Sequence, residues 1–325
     1  MKKRASSLAL FGGICGLLLF AVVNSNPIDH YVTALKVEES GELPDVEDEA
    51  GIRARIEEWR KTREQRAINA KLDPIWKAIP GYNGRVVDME GSLRRWRETG
   101  SLTPEQLVYK EVAPDMTLDQ LGAHPLYRGN PQKPAVSFMV NVAWGNEHLD
   151  AILHTLDRYG VKTTFFLDGS WVRRYPDLAK KIAERGHEIG NHAYSHPDMS
   201  KLSAERIRQE IGKTQSMIQQ ATGIKPKLFA PPSGAFNQQV VQIAAREFQL
   251  KTILWTADTV DWRKPPLEAM VRRVTDKLGN GVLVLMHPTE VSAKGLDRML
   301  QAAKAKGLTP TTVSEVIAES RLDSR

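Results

Sequence analysis

Apolar, β-rich runs alternate with amphipathic helical stretches from Lys133 to the end of the chain. The strands are predicted near residues 135–142, 163–167, 188–190, 227–230, 252–256 and 282–286. The helices between them are predicted near residues 147–159, 174–185, 203–221, 237–247, 266–278 and 292–306. This alternation predicts an α/β fold in which crossover helices join parallel strands. So many units in one domain indicate a barrel or a strongly curled sheet, with its site at the carboxyl ends of the strands.

The region before this domain, residues 51–131, has a different pattern. Ile52, Ile56 and Trp59 fall on one stripe of a helix predicted over residues 52–72, with basic residues on its other faces. That helix either packs on the rest of the protein or meets anionic envelope polymer or lipid headgroups.

A turn cluster at residues 80–84 opens the second half of this region. A short strand at 85–88, a helix through Leu93 and a second strand at 107–112 are predicted after it. Residues 51–131 are therefore expected to form a helical and small α+β N-terminal region ahead of the main domain at 132–320.

The first 25 residues have the pattern of an export signal. Lys2, Lys3 and Arg4 precede an uncharged apolar run at residues 8–23. The segment is either a cleaved signal peptide or an uncleaved signal anchor, and both place the rest of the chain outside the cell membrane. Residues 26–50 are predicted to be an acidic linker, because seven acids fall between Glu38 and Glu49.

The amino-acid composition limits which partners the chain can bind and which reactions it can catalyse. The formal charge of +6 includes the three basic residues of the leader, and the remainder is too mildly basic to indicate nucleic acid. Cys15 is the only cysteine and lies in the leader. The exported chain is therefore expected to have no disulfide, no thiolate metal site and no cysteine nucleophile.

Chemically active residue types follow the predicted strands. His192 and His196 come after one strand, with a spacing that brings two imidazoles within reach of one metal ion. Asp258 and Asp261 follow another strand, and His287 follows a third. Because carboxyl ends of parallel strands meet at one edge, these side chains are predicted to converge.

Several of these segments resemble the NodB-type polysaccharide deacetylases, carbohydrate esterase family 4. Residues 186–198 resemble the second motif of that family, and residues 159–166 resemble the strand that precedes it. Asp258, Asp261 and Trp262 match its fourth motif, and residues 285–287 match its fifth. The resemblance covers about residues 133–320.

This resemblance implies a distorted (β/α) barrel of the NodB type. It also implies a divalent metal (zinc, cobalt or nickel) held by one aspartate and two histidines. The implied enzyme is a metal-dependent hydrolase of C–N bonds that removes N-acetyl groups from chitin-like or peptidoglycan sugars. The expected partner is therefore a cell-envelope glycan, with membrane contact only through an uncleaved anchor. Two further segments, residues 138–145 and 229–234, resemble a divergent sporulation-linked subgroup of Gram-positive proteins.

The family's first and third motifs are altered in this chain. A gap-free alignment places Asn141 where the family has its general base and Val142 where it has an aspartate ligand. Ala230 stands where an arginine normally braces the base. An amide cannot accept a proton from water near neutral pH, and valine offers a metal no lone pair. The metal is therefore expected to be weakly held or missing.

The rest of the implied site is present. His287 is predicted to act as a general acid, with Asp258 or Asp261 holding its ring. The backbone N–H of Ser233 is predicted to face an oxyanion. Trp262 either packs beside the site or contacts sugar.

Glu147 and His148 lie just beyond the altered first motif. They either supply a replacement base or ligand, or belong to a helix N-terminus where the dipole favours the carboxylate.

Two functions therefore remain open from the sequence. One is an active deacetylase of envelope glycan with an unusual base. The other is a catalytically silent member that binds glycan or a protein partner in the cleft. A glycosidase that uses paired carboxylates is disfavoured, because Asp258 and Asp261 share one strand end and cannot flank a glycosidic bond.

Overall fold

The computed structural model describes residues 48–322. They form two compact units, one made of residues 48–61 and 89–107 and the other of residues 62–88 and 108–322. The predicted leader and all but the last residues of the predicted acidic linker lie outside the described residues. None of the helices within residues 48–322 has the length and apolar character that a membrane span requires.

The smaller unit contains two helices. α1 (Glu49–Arg63) buries Ile52 and Ile56 on one face, as their spacing predicts. α2 (Met89–Thr99) buries Leu93 in the same unit. α1 begins inside the predicted linker and ends at Arg63, so the prediction of helix to residue 72 is wrong in its last nine residues.

Pairing with a distant segment explains why the helix ends early. The backbone N–H of Gln65 donates to the carbonyl oxygen of Arg85 at 2.9 Å, and that of Ile68 donates to Tyr82 at 2.8 Å. These residues are therefore extended, although local periodicity favours helix. Tertiary pairing of this kind routinely overrides local propensity.

Two small antiparallel sheets precede the main sheet along the chain. β1 (Lys71–Asp73) pairs with β2 (Lys77–Ile79), and β3 (Gly84–Val87) pairs with β4 (Tyr109–Val112). β3 and β4 confirm the two strands predicted in this region to within two residues. The β1–β2 hairpin is not predicted, because each of its strands is only three residues long.

The main sheet has eight strands, all of which pair in parallel. They are β5 (Ala135–Val142), β6 (Thr164–Leu167), β7 (Glu188–Asn191), β8 (Leu228–Phe229), β9 (Lys251–Thr252), β10 (Ala257–Asp258), β11 (Val282–Met286) and β12 (Thr309–Pro310). The order is β10-β11-β5-β6-β7-β8-β9, with β12 beside the start of β5. This parallel sheet confirms the predicted α/β fold.

Helices connect and cover the strands of this sheet. They are α3 (Asn146–Tyr159), α4 (Gly169–Arg174), α5 (Pro176–Glu184), α6 (Ala204–Thr222), α7 (Gln238–Phe248), α8 (Leu267–Thr275), α9 (Glu290–Ala305) and α10 (Val313–Ile317). α5 confirms the helix predicted over residues 174–185 to within two residues, and Pro176 is its first residue. α4, β12 and α10 are not predicted.

One extended segment joins the two ends of the sheet. In this closing segment, residues 251–259, the N–H of Ile253 donates at 2.8 Å to the carbonyl oxygen of Phe229, the last residue of β8. Further along, the N–H of Thr256 donates to Leu283 at 3.0 Å and that of Thr259 donates to Leu285 at 3.1 Å, both in β11. The strand predicted at 252–256 is thus two short strands with a change of partner between them. This change of partner curls the sheet into a distorted barrel.

β5 is buried along its whole length. Side chains alternate between the two faces of a strand. One set packs in the core shared with the covering helices: Val136, Phe138, Val140 and Val142. The other set faces the inside of the curled sheet and includes Ala135 and Met139.

His187, just before β7, is a buried group that titrates. Its Nδ1 accepts the backbone N–H of Thr163 at 3.3 Å, and no described residue hydrogen-bonds its Nε2. Burial, and secondarily the positive charges of Lys162 and Arg185, lower the pKa of His187 from 6.5 to about 4. The ring is therefore neutral in the folded protein at neutral pH.

This burial predicts an acid-sensitive contribution to stability. Between pH 6.5 and 4 the His187 imidazole is protonated in the unfolded chain but neutral in the folded protein. The stability that this group contributes is therefore fully present above pH 6.5 and is lost as the pH falls towards 4. We expect the free energy of unfolding to fall by up to about 3 kcal/mol from this group. His187→Gln, which keeps an acceptor, should flatten the pH dependence measured by urea denaturation. The matched control is His154→Gln at an exposed position, and equal profiles for wild type and His187→Gln would contradict the prediction.

Candidate functional site

A cavity of about 370 Å³ lies at the carboxyl ends of the strands. It is lined by Asn141, Ala143, Trp144, His192, His196, Ser233, Trp255, Asp258, Trp262, Leu285 and His287. These residues lie at the ends of β5, β7, β8, β9, β10 and β11 or follow them. Six of the residues singled out from the sequence therefore line this one cleft, and Trp262 joins them at its rim.

His192 is held in a fixed orientation at the base of the cleft. Its Nδ1–H donates to the carbonyl oxygen of Ala230 at 2.7 Å, which leaves Nε2 as the ring nitrogen available to the cavity. The ring of His196 lies 5.2 Å away at an angle of 74°. Burial, with a smaller effect from His196, lowers the pKa of His192 to about 3. His192 is therefore a neutral imidazole.

The loop that carries His196 depends on a buried carboxylate that the sequence did not single out. Glu210 of α6 accepts the backbone N–H groups of Tyr194 and Ser195 at 2.9 and 2.8 Å. It also accepts the Ser195 hydroxyl at 2.9 Å and pairs with Arg206 at 2.8 Å. His196 itself has a φ of +54°. A left-handed backbone at a non-glycine residue persists only where its surroundings hold it, as Glu210 does here.

His287 and Asp261 form a second, separate network. The Nδ1–H of His287 donates to Asp261 Oδ1 at 2.8 Å. The other oxygen of Asp261 accepts the backbone N–H of His287 at 2.7 Å and the Ser292 hydroxyl at 2.5 Å. Burial by itself raises the pKa of Asp261. The hydrogen bonds from His287 and Ser292, together with the charge of His287, lower it by more, so that the pKa lies below its usual value. Asp261 is therefore an ionised, buried carboxylate that orients the ring.

Asp258 does not share this role. Its Oδ1 accepts the backbone N–H of Val260 at 2.7 Å, and its side chain lines the cleft. Val260 has a φ of +52°, so the chain turns sharply between the two aspartates. The turn places Asp258 at the cavity and Asp261 beneath His287. Of the two aspartates predicted to hold His287, Asp261 makes the contact.

The two altered positions at the end of β5 face in opposite directions. Asn141 is buried and lines the cleft, and its Oδ1 has no hydrogen-bond partner among the described residues. Val142 is buried in the apolar core shared with the helices. Neither side chain supplies a proton acceptor of suitable basicity or a charged ligand.

These residues do not fit the three-ligand metal site that the resemblance implies. His192 and His196 offer one ring nitrogen each, and Val142, to which the gap-free alignment gives the third ligand, is apolar and faces the core instead of the cleft. Within residues 48–322 no three His, Cys, Asp or Glu side chains lie close enough together to hold an ion. Because divalent metal sites of this type use at least three protein ligands, we assign no chemical step to a metal.

The remaining predicted site residues lie at the rim. Ser233 has a φ of +55° in a tight turn and lines the cleft. Trp262 is 51% exposed, and the guanidinium of Arg263 lies 4.6 Å from the centre of the Trp262 ring.

Glu147 and His148 are in the first turn of α3 and line an adjoining cavity of about 560 Å³, not the cleft with the histidine pair. They do not replace the missing carboxylates in this arrangement.

Trp144 is a second site residue that the sequence did not single out. It lies in the loop after β5, is 46% exposed, and stacks on His287 with ring centres 5.8 Å apart and planes 11° from parallel. Its position next to the altered first motif is the feature of the sequence that could have identified it as a site residue.

Comparison with known proteins supports the family resemblance. A family model described as polysaccharide deacetylase matches residues 128–252. The chain is 49% identical over 254 residues to an uncharacterised protein of Bacillus subtilis, YlxY, covering 78% of this chain and 79% of that protein. It is 37% identical over 169 residues to the peptidoglycan-N-acetylglucosamine deacetylase PgdA of Listeria monocytogenes, covering 52% of this chain and 35% of that protein. The match thus spans about a third of the Listeria enzyme.

Solved structures match over a greater length. Wild-type BA3943 of Bacillus anthracis, described as a CE4 family pseudoenzyme, has a TM-score of 0.78 and 44% identity. The match covers 83% of this chain and 96% of that one. A BA3943 mutant described as having restored enzymatic activity also has a TM-score of 0.78, with 42% identity over 83% of this chain and 99% of that one.

The opposite orientations of Asn141 and Val142 predict which position can give the histidine pair a carboxylate. Asn141→Asp places a carboxylate in the cleft that His192 and His196 line, so it should bind zinc about 10-fold or more tightly than wild type and gain Tm with zinc, as measured by calorimetry. Val142→Asp is the control, because its carboxylate enters apolar surroundings; it should be less stable than wild type and gain no zinc affinity. Tighter zinc binding in Val142→Asp than in Asn141→Asp would show that position 142 is the ligand position, as the gap-free alignment has it.

The buried acceptor Glu210 predicts a large stability loss on truncation. Glu210→Ala removes the acceptor of two backbone N–H groups and a hydroxyl, and it removes the carboxylate that pairs with Arg206. The expected decrease in the free energy of unfolding is about 2–4 kcal/mol by urea denaturation. Glu205→Ala on the exposed face of α6 is the matched control, with an expected change within about 0.5 kcal/mol. A similar loss in both variants would argue against the bracing role.

Proposed function

This chain belongs to the polysaccharide deacetylase family, carbohydrate esterase family 4, and from that premise we propose that it is a non-catalytic member that binds N-acetylated glycan of the cell envelope. The observation that carries the proposal is the pair of residues at the end of β5. Asn141 faces the cleft without a basic group, and Val142 faces the core without a ligand atom.

Hydrolysis of an N-acetyl group needs a water molecule made nucleophilic, and this chain lacks the means to do so. The Asn141 amide does not take a proton from water near neutral pH. Two imidazole ligands without a carboxylate hold a cation less tightly than a site with a charged ligand, and they acidify bound water less effectively. Ala230 fits the same pattern, since no carboxylate at 141 remains for an arginine to brace.

The cleft itself is retained. It has a volume of about 370 Å³, polar groups at its base and tryptophans at its rim. A concave site with aromatic walls and a few fixed polar groups is the usual form of a small-molecule site. Binding without turnover is thus the activity that this arrangement supports best.

The ligand class follows from chemistry and from the family. The Listeria relative is named for N-acetylglucosamine in peptidoglycan. We assign this chain the same class of ligand, an N-acetylated amino-sugar polymer. The basic and apolar pattern of residues 1–25 supports export to the side of the membrane on which that polymer lies. Membership of a sporulation-linked subgroup stays a prediction from the sequence.

A second candidate is an active deacetylase with a different base. The observation in its favour is the intact Asp261–His287 pair, which is able to deliver a proton to a leaving amine. Glu147 and His148 line the adjoining cavity and do not supply the base in this arrangement.

An acetate-release assay separates the two candidates. Zinc-supplemented wild-type protein should release no acetate from N-acetylglucosamine oligomers or from peptidoglycan, and should bind both in sedimentation or titration experiments. Cellulose oligomers, which lack the acetamido group, should bind at least several-fold more weakly. Turnover by the wild type that is abolished in His287→Ala would establish the deacetylase instead, and absence of binding to any N-acetylated glycan would overturn the proposed function.

A further inference from the structure

The tip of the β1–β2 hairpin exposes apolar side chains to water. Ile75, at the tip, is 72% exposed, and Leu72, in β1, is 52% exposed. These are the two highest values among the large hydrophobic side chains of residues 48–322. Neither residue lines the cleft or the cavity that adjoins it. Because burying such side chains is favourable wherever a partner excludes water, the tip indicates an interaction surface separate from the cleft.

The turn at the tip is fixed by its own hydrogen bonds. Asp73 Oδ1 accepts the backbone N–H groups of Ile75 and Trp76 at 2.9 and 2.8 Å. The ring of Pro74 restricts its own φ, and Lys77 has a left-handed φ of +57°. The Lys77 ammonium donates to the carbonyl oxygen of Pro74 at 2.9 Å. A turn that is fixed in advance loses little conformational entropy when it binds a partner.

The base of the hairpin is anchored in the core and carries aromatic side chains. Ala78 of β2 is buried with Leu126 in the cluster inside the curled sheet, and its N–H donates to the carbonyl oxygen of Pro125 at 3.3 Å. The rings of Trp76 and Tyr127 lie 6.2 Å apart at an angle of 61°. Tryptophan and tyrosine are enriched at the boundary between lipid hydrocarbon and headgroups. The hairpin therefore combines an exposed apolar tip with an aromatic pair at its base.

Basic residues surround this tip. Residues 65–87 contain four basic residues and one acid, Asp73. Lys71 and Lys77 flank the tip in β1 and β2. The backbone N–H groups of the turn, and after them the positive charges of Lys71 and Arg128, lower the pKa of the Asp73 carboxyl. An apolar tip within positive charge is complementary to a bilayer of anionic lipid, which has phosphates at its surface and hydrocarbon beneath them.

We propose that the β1–β2 hairpin is a peripheral membrane contact, in which Leu72 and Ile75 enter the headgroup region of an anionic bilayer and Lys71 and Lys77 bind lipid phosphates. The sequence predicts membrane contact only through an uncleaved leader, so the hairpin is a second contact that does not need the leader. The pattern of residues 1–25 predicts export, which brings the chain to such a bilayer.

A fluorescent label on the hairpin tests this contact directly. The apolar run of residues 8–23 can bring the full chain to a vesicle by itself, so sedimentation alone is not the readout. Full-chain Cys15→Ser/Leu72→Cys carries an environment-sensitive fluorophore at position 72. Vesicles of phosphatidylglycerol and phosphatidylcholine in equal parts should shift its emission to shorter wavelength, because the label leaves water. Phosphatidylcholine alone, or added salt, should give a weaker response, because the lysines then lose their partners or are screened.

Ile75→Asp in the labelled chain should raise the lipid concentration needed for half the response about 10-fold or more, because a carboxylate replaces the apolar tip side chain. Tyr175→Asp is the matched control, since it places the same charge at another exposed ring position outside the hairpin, and it should respond as the parent does. Circular dichroism checks that both variants are folded.

Four outcomes would overturn the proposal in whole or in part. A label that does not respond while the protein sediments with the vesicles would overturn the hairpin contact. Equal responses from Ile75→Asp and Tyr175→Asp would overturn the role of Ile75, and equal responses to both lipid mixtures would overturn the role of the lysines. A response to isolated peptidoglycan and not to vesicles would assign the tip to the polymer. The proposed glycan binding in the cleft stands or falls independently of all four.

Discussion

β5 lies in the middle of the sheet and is buried on both faces, so the alternation of its side chains decides which residues face the cleft and which face the helices. Asn141 falls on the cleft side, and Val142 falls on the helix side in an apolar cluster. A carboxylate at position 142 would need a cation or a hydrogen-bond donor beside it, whereas valine needs neither. Valine at position 142 thus stabilises the core, and only position 141 of this strand end remains to meet the cleft.

The site consists of two networks that depend on different elements. His192 is oriented by Ala230, and the loop of His196 is held by Glu210 of α6. His287 is oriented by Asp261, which also binds Ser292 of α9. Because Asp261 accepts the backbone N–H of His287 and a hydroxyl from a helix, it ties β11 to α9 whether or not any reaction takes place. Retention of this pair is therefore explained by folding alone and is weak evidence for turnover.

Much of the fold and site was predictable because it depends on local pattern. The buried run of β5 and the helices around it follow from hydrophobic periodicity, and the placement of His192 and His287 at strand ends follows from parallel topology. What was missed depends on contacts between distant residues. Glu210 looks like any helical glutamate until its helix packs on the loop it braces. Trp144 looks like a core aromatic, and the helix that should have continued beyond Arg63 is ended by pairing with a segment that comes later in the chain.

The closing segment, residues 251–259, has a consequence for the behaviour of the protein in solution. A strand at the edge of a sheet exposes unpaired N–H and C=O groups that can recruit another chain. Here one stretch of backbone covers β8 with its first half and β11 with its second half. At this side of the barrel the two strands that would be edges in an open sheet are thus protected by the same nine residues. A substitution that loosens this segment, such as proline at Ile253 or Thr256, would expose both edges at once and make the protein prone to aggregate.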